Sequence, residues 1–351
     1  MQSMKILSFG AGAIGAYIGG SLAMSGHKVV FVEQPQAADL LRTNGLKLSL
    51  GLDPRRKGQT EFKLMPPEVE FAGSLAEALS FGPFDVALFA LKSYDTPAAL
   101  DGMQPYLDQM PALLCLQNGV DNEPALSAVL GPQRVIAGSV TASVGRKGVG
   151  DIVLEKLRGV GVAAGHPLSQ KLVDALDAAY VNGRLYPKAA DMKWSKMLTN
   201  LLANPTSAIL DMTAAEVFAN PSLYSLEVVQ LKECLAVMKA QGINVVDLPG
   251  IPVRALALAT RLPLWLSKPL VSKAAGAGRG AKMPSFHIDL HSGRGKSEII
   301  FLHGAVVRAG EKYGVPTPVN KQLTETLLGM TAGSISMEEY SRKPEKLLAG
   351  L

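Results

Sequence analysis

Three polar residues spaced four apart, Lys196, Asn200 and Asn204, interrupt the apolar stretch KWSKMLTNLLANPTSAI at 193–209. At 100° per residue, a step of four drifts by only about 40°, so the spacing predicts one polar stripe on a helix over 189–204. Trp194, Met197, Leu198, Leu201 and Leu202 surround the stripe and predict burial. Buried amines and amides cost free energy when unpaired, and a ligand pocket would pair them. The other reading is a solvated face, with Lys196 at the surface and Asn204 ending the helix before Pro205. A second set lies at the other end of the chain: Gly10, Gly12 and Gly15 in the spacing G-x-G-x-x-G, with Glu33 eighteen residues after Gly15. That set suits a dinucleotide. The first glycine turns the chain, the second lets the backbone approach a pyrophosphate, and the third lets helix and strand pack closely. The acid then falls where an adenosine ribose is held.

The elements that must position these groups follow from periodicity. Residues 6–9 read as a buried strand, 13–25 as a helix and 29–32 as a second strand. A leading basic residue and a Gly/Ala-rich run also fit a signal peptide. The glycines break its apolar core, however, and a strand ending in an acid closes a βαβ unit. Short alternating strands are expected at 46–50 and 61–64, with a helix at 75–79. Strand 85–91, which leads to Lys92, is apolar throughout, as in a sheet covered on both faces. A helix over 96–107, a strand at 112–116 leading to Asn118, a helix at 122–130 and a strand at 135–144 follow. Residues 150–165 read as two antiparallel strands, and 169–180 as an amphipathic helix. This alternation predicts a doubly wound, mostly parallel sheet, with Gly10, Lys92 and Asn118 at strand ends lining one crevice. From about residue 188 helical periodicity takes over, at 189–204, 213–218, 223–241, 286–291, 297–313 and 318–330, and 342–351 should fray.

Composition sets bounds. The chain of 351 residues is long enough for two domains. A hydrophobic share of 48%, a charged share of 19% and a net charge of +5 describe a globular chain suited to small anionic ligands, with no argument for nucleic acid. Cys115 and Cys234, far apart in apolar settings, fit a reducing compartment, the cytoplasm by default. The richest late apolar run, 255–266, is broken by Arg261 and Pro263, so no membrane span is expected.

Taken together, the glycine motif, Leu91-Lys92, Gln117-Asn118-Gly119, the K-x-x-x-N-x-x-x-N-P run from Lys196 to Pro205, and Ser285 with Glu298 resemble the ketopantoate reductases (2-dehydropantoate 2-reductases). The resemblance spans residues 4–330, and the lysine–asparagine run is its specific part. It implies reduction of 2-dehydropantoate to (R)-pantoate by a nicotinamide dinucleotide. By position, Lys196 matches the lysine that protonates the ketone oxygen, and Glu298 the acid that holds substrate and orients that lysine. Asn118, Asn200, Asn204 and Ser285 match substrate-contacting groups. Gly10, Gly12, Ala13, Ile14, Gly15, Glu33, Gln34, Lys92 and Asn118 match the cofactor contacts.

Three departures qualify the match. The family's usual arginine for the 2′-phosphate of NADPH aligns with Gln34, after Glu33, whose carboxylate would repel that phosphate; this leans towards NAD(H). Arg42 or the turn Arg55-Arg56-Lys57 remains an alternative phosphate partner, so NADP(H) stays open. The 285–298 segment is one residue longer than the family's usual spacing. Finally, no acid occurs between Asp247 and Asp289, while Arg254, Arg261, Lys268, Lys273, Arg279 and Lys282 are all basic. Residues 248–284 read either as a basic lid over a bulkier anionic substrate or as a subunit contact or solvated loop. His287 and His291, with His303 and Glu298, have donor types for a metal, but no metal motif surrounds them and no metal is expected.

The expected protein is thus an α/β oxidoreductase: an N-terminal Rossmann-type doubly wound sheet, 1–187, followed by an all-helical substrate domain, 188–351. It would bind NAD(H) or NADP(H) and a small anionic 2-keto acid, with neither nucleic acid nor membrane as partner and a homodimer left open. The core expectation is that Lys196 faces the redox carbon of the bound coenzyme. A different branched or aryl 2-keto acid, and a non-catalytic dinucleotide sensor, are the competing readings.

Overall fold

The computed structural model describes residues 2–56, 58–276 and 283–350, with the backbone alone for 270 and 272–276. It divides into two compact units: Met1–Asn118, Asn122–Lys193 and Leu248–Ile251 form the first, and Gly119–Asp121, Trp194–Asp247 and Pro252–Leu351 the second.

The first unit is built on strands β1 (Lys5–Phe9), β2 (Lys28–Val32), β3 (Leu46–Ser49), β4 (Glu61–Leu64), β5 (Val69–Ala72), β6 (Val86–Phe89), β7 (Ala112–Cys115), β8 (Val135–Val140), β9 (Ser143–Gly148), β10 (Asp151–Lys156), β11 (Val160–Ala163) and β12 (Gly183–Tyr186). The main sheet has the order β12-β11-β8-β7-β6-β1-β2-β5 and is parallel from β5 to β8. With the small-sheet strands β3 and β4 set aside, that run is the 3-2-1-4-5-6 order of a doubly wound dinucleotide-binding sheet. Helices α1 (Ala13–Met24), α2 (Pro35–Asn44), α3 (Leu75–Ser80), α4 (Thr96–Met103), α5 (Asn122–Leu130) and α6 (Ser169–Ala178) connect the strands. The fold class expected from sequence is borne out.

Neighbouring residues in the central strands serve opposite cores. Ile6, Val29, Phe31, Val86, Leu88 and Leu114 pack on the α1 face. Leu7, Val30, Ala87, Phe89, Leu113 and Cys115 pack on the other. Burial on both faces explains runs such as VALF, which show no polar alternation. Each Val, Leu, Ile and Phe side chain among them contributes about 1.5–3 kcal/mol by leaving water.

Several sequence expectations need correction. Residues 135–144 are not one strand: the chain leaves the main sheet after Val140 and re-enters as β9 of a small sheet, β4-β3-β10-β9. Thr141 marks the exit, its hydroxyl shared between Gly159 O at 2.9 Å and Pro249 O at 2.8 Å. Nor do the two strands of 150–165 pair with each other. β10 joins β9 and β3, whereas β11 pairs with β8 and β12. The helix over 96–107 stops at Met103, and a 3₁₀ stretch, Gln104–Gln109, carries Pro105 at its start. Strands β5 and β12 were not foreseen.

Helix α7 (Ala189–Leu201) begins in the first unit and continues into the second. The second unit holds α8 (Asn204–Leu210), α9 (Ala214–Ala219), α10 (Pro221–Ala240), α11 (Val253–Ala259), α12 (Leu264–Gly276), α13 (Ser285–His291), α14 (Ile299–Tyr313) and α15 (Pro318–Thr331). Among its described residues there is no strand. α10 is the buried spine, packed against α9, α14 and α15. The segment 248–284 contains two helices, α11 and α12, while Arg279 and Lys282 lie outside the described residues. The end of the chain is held rather than frayed: Pro344–Leu348 is helical, Leu347 is fully buried, and Gln322 Nε2 donates to its carbonyl at 2.9 Å.

Candidate active site

In the first unit the carboxyl ends of β2, β1, β6 and β7 lie side by side, so Glu33, Gly10, Lys92 and Asn118 follow the same edge of the sheet. The glycines do what their spacing requires. Gly10 has φ +91°. A Cβ on Gly15 would lie 2.0 Å from Gly10 O, a distance that no side chain tolerates. A Cβ on Gly12 would meet nothing within 4 Å, so the backbone there borders open space. Gly12 caps α1 without a side chain, and Ala13, Ile14 and Gly15 form its first turn. Their N–H groups point out of a twelve-residue helix, the arrangement that favours a phosphate.

Glu33 is half-buried beside this turn. Its Oε1 accepts from Ala11 N–H at 2.6 Å and its Oε2 from Gln34 N–H at 3.3 Å. The acid therefore braces the glycine turn and places negative charge beside it. The basic residues considered as 2′-phosphate partners are engaged elsewhere. Arg42 donates to Phe71 O at 3.0 Å and pairs with Asp39 and Glu77. Arg55 is held by Asp53 at 2.8 Å, Asn182 Oδ1 at 2.6 Å and Tyr180 O at 2.6 Å. Arg56 donates to Ala179 O at 3.1 Å and lies 3.7 Å from Asp53. Burial works to raise the Asp53 carboxyl, but hydrogen bonds and charge from the two arginines hold it below its ordinary range. Lys57 lies outside the described residues.

At the far side of the edge, buried Gln117 donates to Leu91 O at 3.0 Å and Thr96 Oγ1 at 2.9 Å, tying the Lys92 turn to the end of β7. Asn118 is exposed, and its carbonyl accepts from Asn122 Nδ2 at 2.6 Å. Sequence reasoning passed over Lys193. It is buried, donates to Gln117 O at 2.8 Å and Gly138 O at 3.3 Å, and pairs with Glu123 at 2.6 Å. Burial pulls its ammonium down, but the Glu123 carboxylate outweighs that and holds it above its ordinary value. The available signal was a lysine one position before Trp194 in an apolar stretch.

The second unit carries the polar row. Lys196 and Asn200 share a face of α7, with Nζ 2.9 Å from Asn200 Oδ1. Both are half-buried, while Trp194, Met197, Leu198 and Leu201 are buried. The row is not one helix, however. α7 ends at Leu201, Ala203 takes the left-handed conformation (φ 52°, ψ 8°), and Asn204 opens α8 with Pro205 in its first turn. Proline lacks the N–H that a continuing helix needs, so the backbone restarts there. Asn204 is buried and spans the break. Its Nδ2 donates to Asn200 O at 3.2 Å and Ser285 Oγ at 3.3 Å, and its Oδ1 accepts from Phe286 N–H at 3.1 Å. Ser285, exposed at the start of α13, is thereby joined to the row. Glu298 is buried and caps α14.

Glu227 supports this arrangement from the core and was also missed. Fully buried on α10, it accepts from Ala203 N–H at 2.6 Å, from Thr206 Oγ1 at 2.5 Å and from Gln230 Nε2. Its place in the apolar row Leu223, Glu227, Leu231, Cys234 was a legible signal: a carboxylate at a core position must have partners. Gln230 Oε1 in turn lies 3.1 Å from His303 Nε2. Because Gln230 donates its amide to Glu227, its Oε1 accepts from His303 Nε2–H. Burial pushes the His303 imidazole down to about 3 from an ordinary 6.5. The unfolded chain therefore takes up a proton below pH 6.5 that the folded chain refuses, and stability is lost as pH falls from 6.5 towards 3. Urea melts at pH 6 and pH 4 should show the wild type losing about 2 kcal/mol more than His303→Gln. Equal losses would mean that His303 is hydrated.

A doubly wound sheet with a glycine turn after its first strand and an acid after its second, followed by a helical unit carrying a lysine–asparagine row, defines a dinucleotide-dependent oxidoreductase. Comparison with known proteins agrees. The family model for ketopantoate reductase PanE/ApbA matches residues 6–164, and that for its C-terminal domain matches 188–331. Together they cover most of the chain, which belongs to the ketopantoate reductase family, an NAD(P)-dependent oxidoreductase family. A 2-dehydropantoate 2-reductase of Streptococcus pyogenes serotype M3 is 24% identical over 327 residues, 92% of this chain and 96% of the relative. One from Archaeoglobus fulgidus is 25% identical over 339 residues, 95% of this chain and 100% of the relative. The crystal structure of a PanE/ApbA family ketopantoate reductase from Ralstonia eutropha JMP134 is similar with a TM-score of 0.78 at 26% identity, covering 94% of this chain and 99% of that one. The fold is also that of a D-mandelate dehydrogenase solved with NADH and anilino(oxo)acetate (TM-score 0.75, 22% identity, 94% of this chain and 99% of that one). Among the described residues no helix is long and apolar enough to cross a membrane.

Proposed function

We propose that this enzyme reduces a small 2-keto acid, 2-dehydropantoate as the first choice, to the (R)-2-hydroxy acid (R)-pantoate. Residues 1–187 bind the dinucleotide, with Gly10, Gly12, Ala13, Ile14 and Gly15 around the pyrophosphate, Glu33 and Gln34 at the adenosine, and Lys92 and Asn118 towards the nicotinamide. The bound cofactor supplies a hydride. Residues 188–351 hold the substrate: Asn200, Asn204 and Ser285, with Asn118, hydrogen-bond its carboxylate and hydroxyl oxygens. Lys196 hydrogen-bonds the ketone oxygen and gives it a proton as negative charge grows there. Glu298 holds the substrate hydroxyl and orients Lys196.

The observation that carries this reading is the row Lys196–Asn200–Asn204–Ser285, contributed by α7, α8 and α13. The test is turnover of a 2-keto acid panel, including 2-dehydropantoate and an aryl 2-oxoacetate, with each cofactor. Tight cofactor binding without oxidation by any acid would point to a sensor instead.

The cofactor is proposed to be NAD(H). Glu33 sets a carboxylate beside the glycine turn, and Arg42, Arg55 and Arg56 are engaged elsewhere. Like charges brought together without screening disfavour the 2′-phosphate, so kcat/KM for NADH should exceed that for NADPH by about tenfold or more. Glu33→Gln keeps an acceptor for Ala11 N–H and removes the charge, so it should narrow the ratio. A wild type that prefers NADPH would overturn the assignment.

A further inference from the structure

The second unit brings three further donors together, on the helix pair that also carries Asn204 and Ser285. Asp211, His287 and His291 each offer a ligand atom, and all three atoms lie within 4.8 Å of one another. His287 Nε2 is 2.8 Å from Asp211 Oδ1. The two imidazoles stand one helical turn apart on α13, with ring centroids 4.1 Å apart and planes at 33°. Donors on a tetrahedral ion with bonds of about 2.0–2.1 Å sit about 3.3 Å apart, so small side-chain rotations would close this set on one cation.

The backbone holds the donors in place. Asp211 ends α8 in the left-handed conformation (φ 49°, ψ 48°), which short polar residues tolerate, and α8 is buried throughout. α13 is fixed to the start of the same helix by Phe286, 1% exposed, whose N–H binds Asn204 Oδ1. The carboxylate and the imidazoles are thus presented by two elements already locked together. His287 is largely covered, while Asp211 and His291 reach solvent, which leaves coordination positions for water. The histidines set aside at the level of sequence do not all meet: His303 is buried against Phe286 and Gln230, and Asp211, distant in sequence, joins His287 and His291 instead.

We propose that Asp211, His287 and His291 bind a divalent transition-metal cation. Two imidazoles and one carboxylate favour zinc, cobalt or nickel over magnesium or calcium, which prefer all-oxygen sets. The ion would clasp the C-terminal end of α8 to α13. Its three ligands are none of the residues assigned to substrate or cofactor, and the proposal does not depend on the substrate assignment.

The experiment uses tag-free, chelator-stripped full-length protein. Cobalt(II) is titrated and followed by visible absorption, and zinc is titrated by calorimetry. The expected result is one saturable equivalent per chain, loss of the cobalt band on adding zinc, and a higher melting temperature with zinc. His291→Gln, on an exposed position, and Asp211→Asn should each weaken binding at least tenfold, and His287→Gln with His291→Gln should abolish it. No saturable binding in the wild type, or binding that survives the double substitution, would overturn the proposal.

Discussion

Replacing Lys196 with alanine should lower kcat by about 10³-fold while leaving the dissociation constant for the dinucleotide unchanged. A positioned proton donor contributes about 10²–10⁴-fold, and a cation aimed at a developing oxyanion acts on the same step. Cofactor affinity should survive because the glycine turn and Glu33 belong to the first unit, whereas Lys196 sits on α7 with its ammonium 2.9 Å from Asn200 Oδ1. Lys196→Arg sharpens the test. A guanidinium keeps the charge but does not release its proton, so a variant still slowed by a large factor separates proton transfer from charge alone. Stopped-flow oxidation of the reduced cofactor reads the chemical step directly. A Lys196→Ala enzyme within tenfold of wild type would remove the lysine from the reaction.

The second large effect is expected far from any substrate. Glu227→Ala should destabilise the protein by about 3–5 kcal/mol, because it strands the partners of a buried carboxylate. Ala203 N–H, the Thr206 hydroxyl and the Gln230 amide would all lose their acceptor inside the core. The damage should also reach function. Ala203 is the left-handed residue at the α7–α8 break, and the break sets Asn200 against Asn204 and Asn204 against Ser285. Urea unfolding at constant pH measures the first effect. Below the unfolding transition, KM for the keto acid should rise more than kcat falls if the asparagine row takes the substrate contacts proposed for it. Glu227→Gln, which keeps one acceptor and the volume, should cost clearly less than alanine. If alanine and glutamine variants were both as stable as wild type, the break would be held by Pro205 alone.

The glycine turn and the shared face of Lys196 and Asn200 were legible in the sequence because they depend on short-range rules. A glycine spacing dictates a turn wherever it occurs, as the Cβ at Gly15 that would strike Gly10 O makes plain. The four-residue spacing of Lys196 and Asn200 puts them on one face of any helix. Continuous apolar runs at β6 and β7 announced strands covered on both sides, and hence a doubly wound sheet. What the sequence could not decide was pairing between distant segments. Nothing local says that β10 leaves β11 to join β3, because a strand of alternating burial fits either sheet equally well. Nor does local pattern show that Glu227 lies under Ala203, that Lys193 reaches Gln117 and Gly138, or that Asp211 rather than His303 meets His287. Each is a buried or half-buried polar group whose partner is many residues away. Its partner is chosen by desolvation cost and packing, and those exist only once the chain has folded.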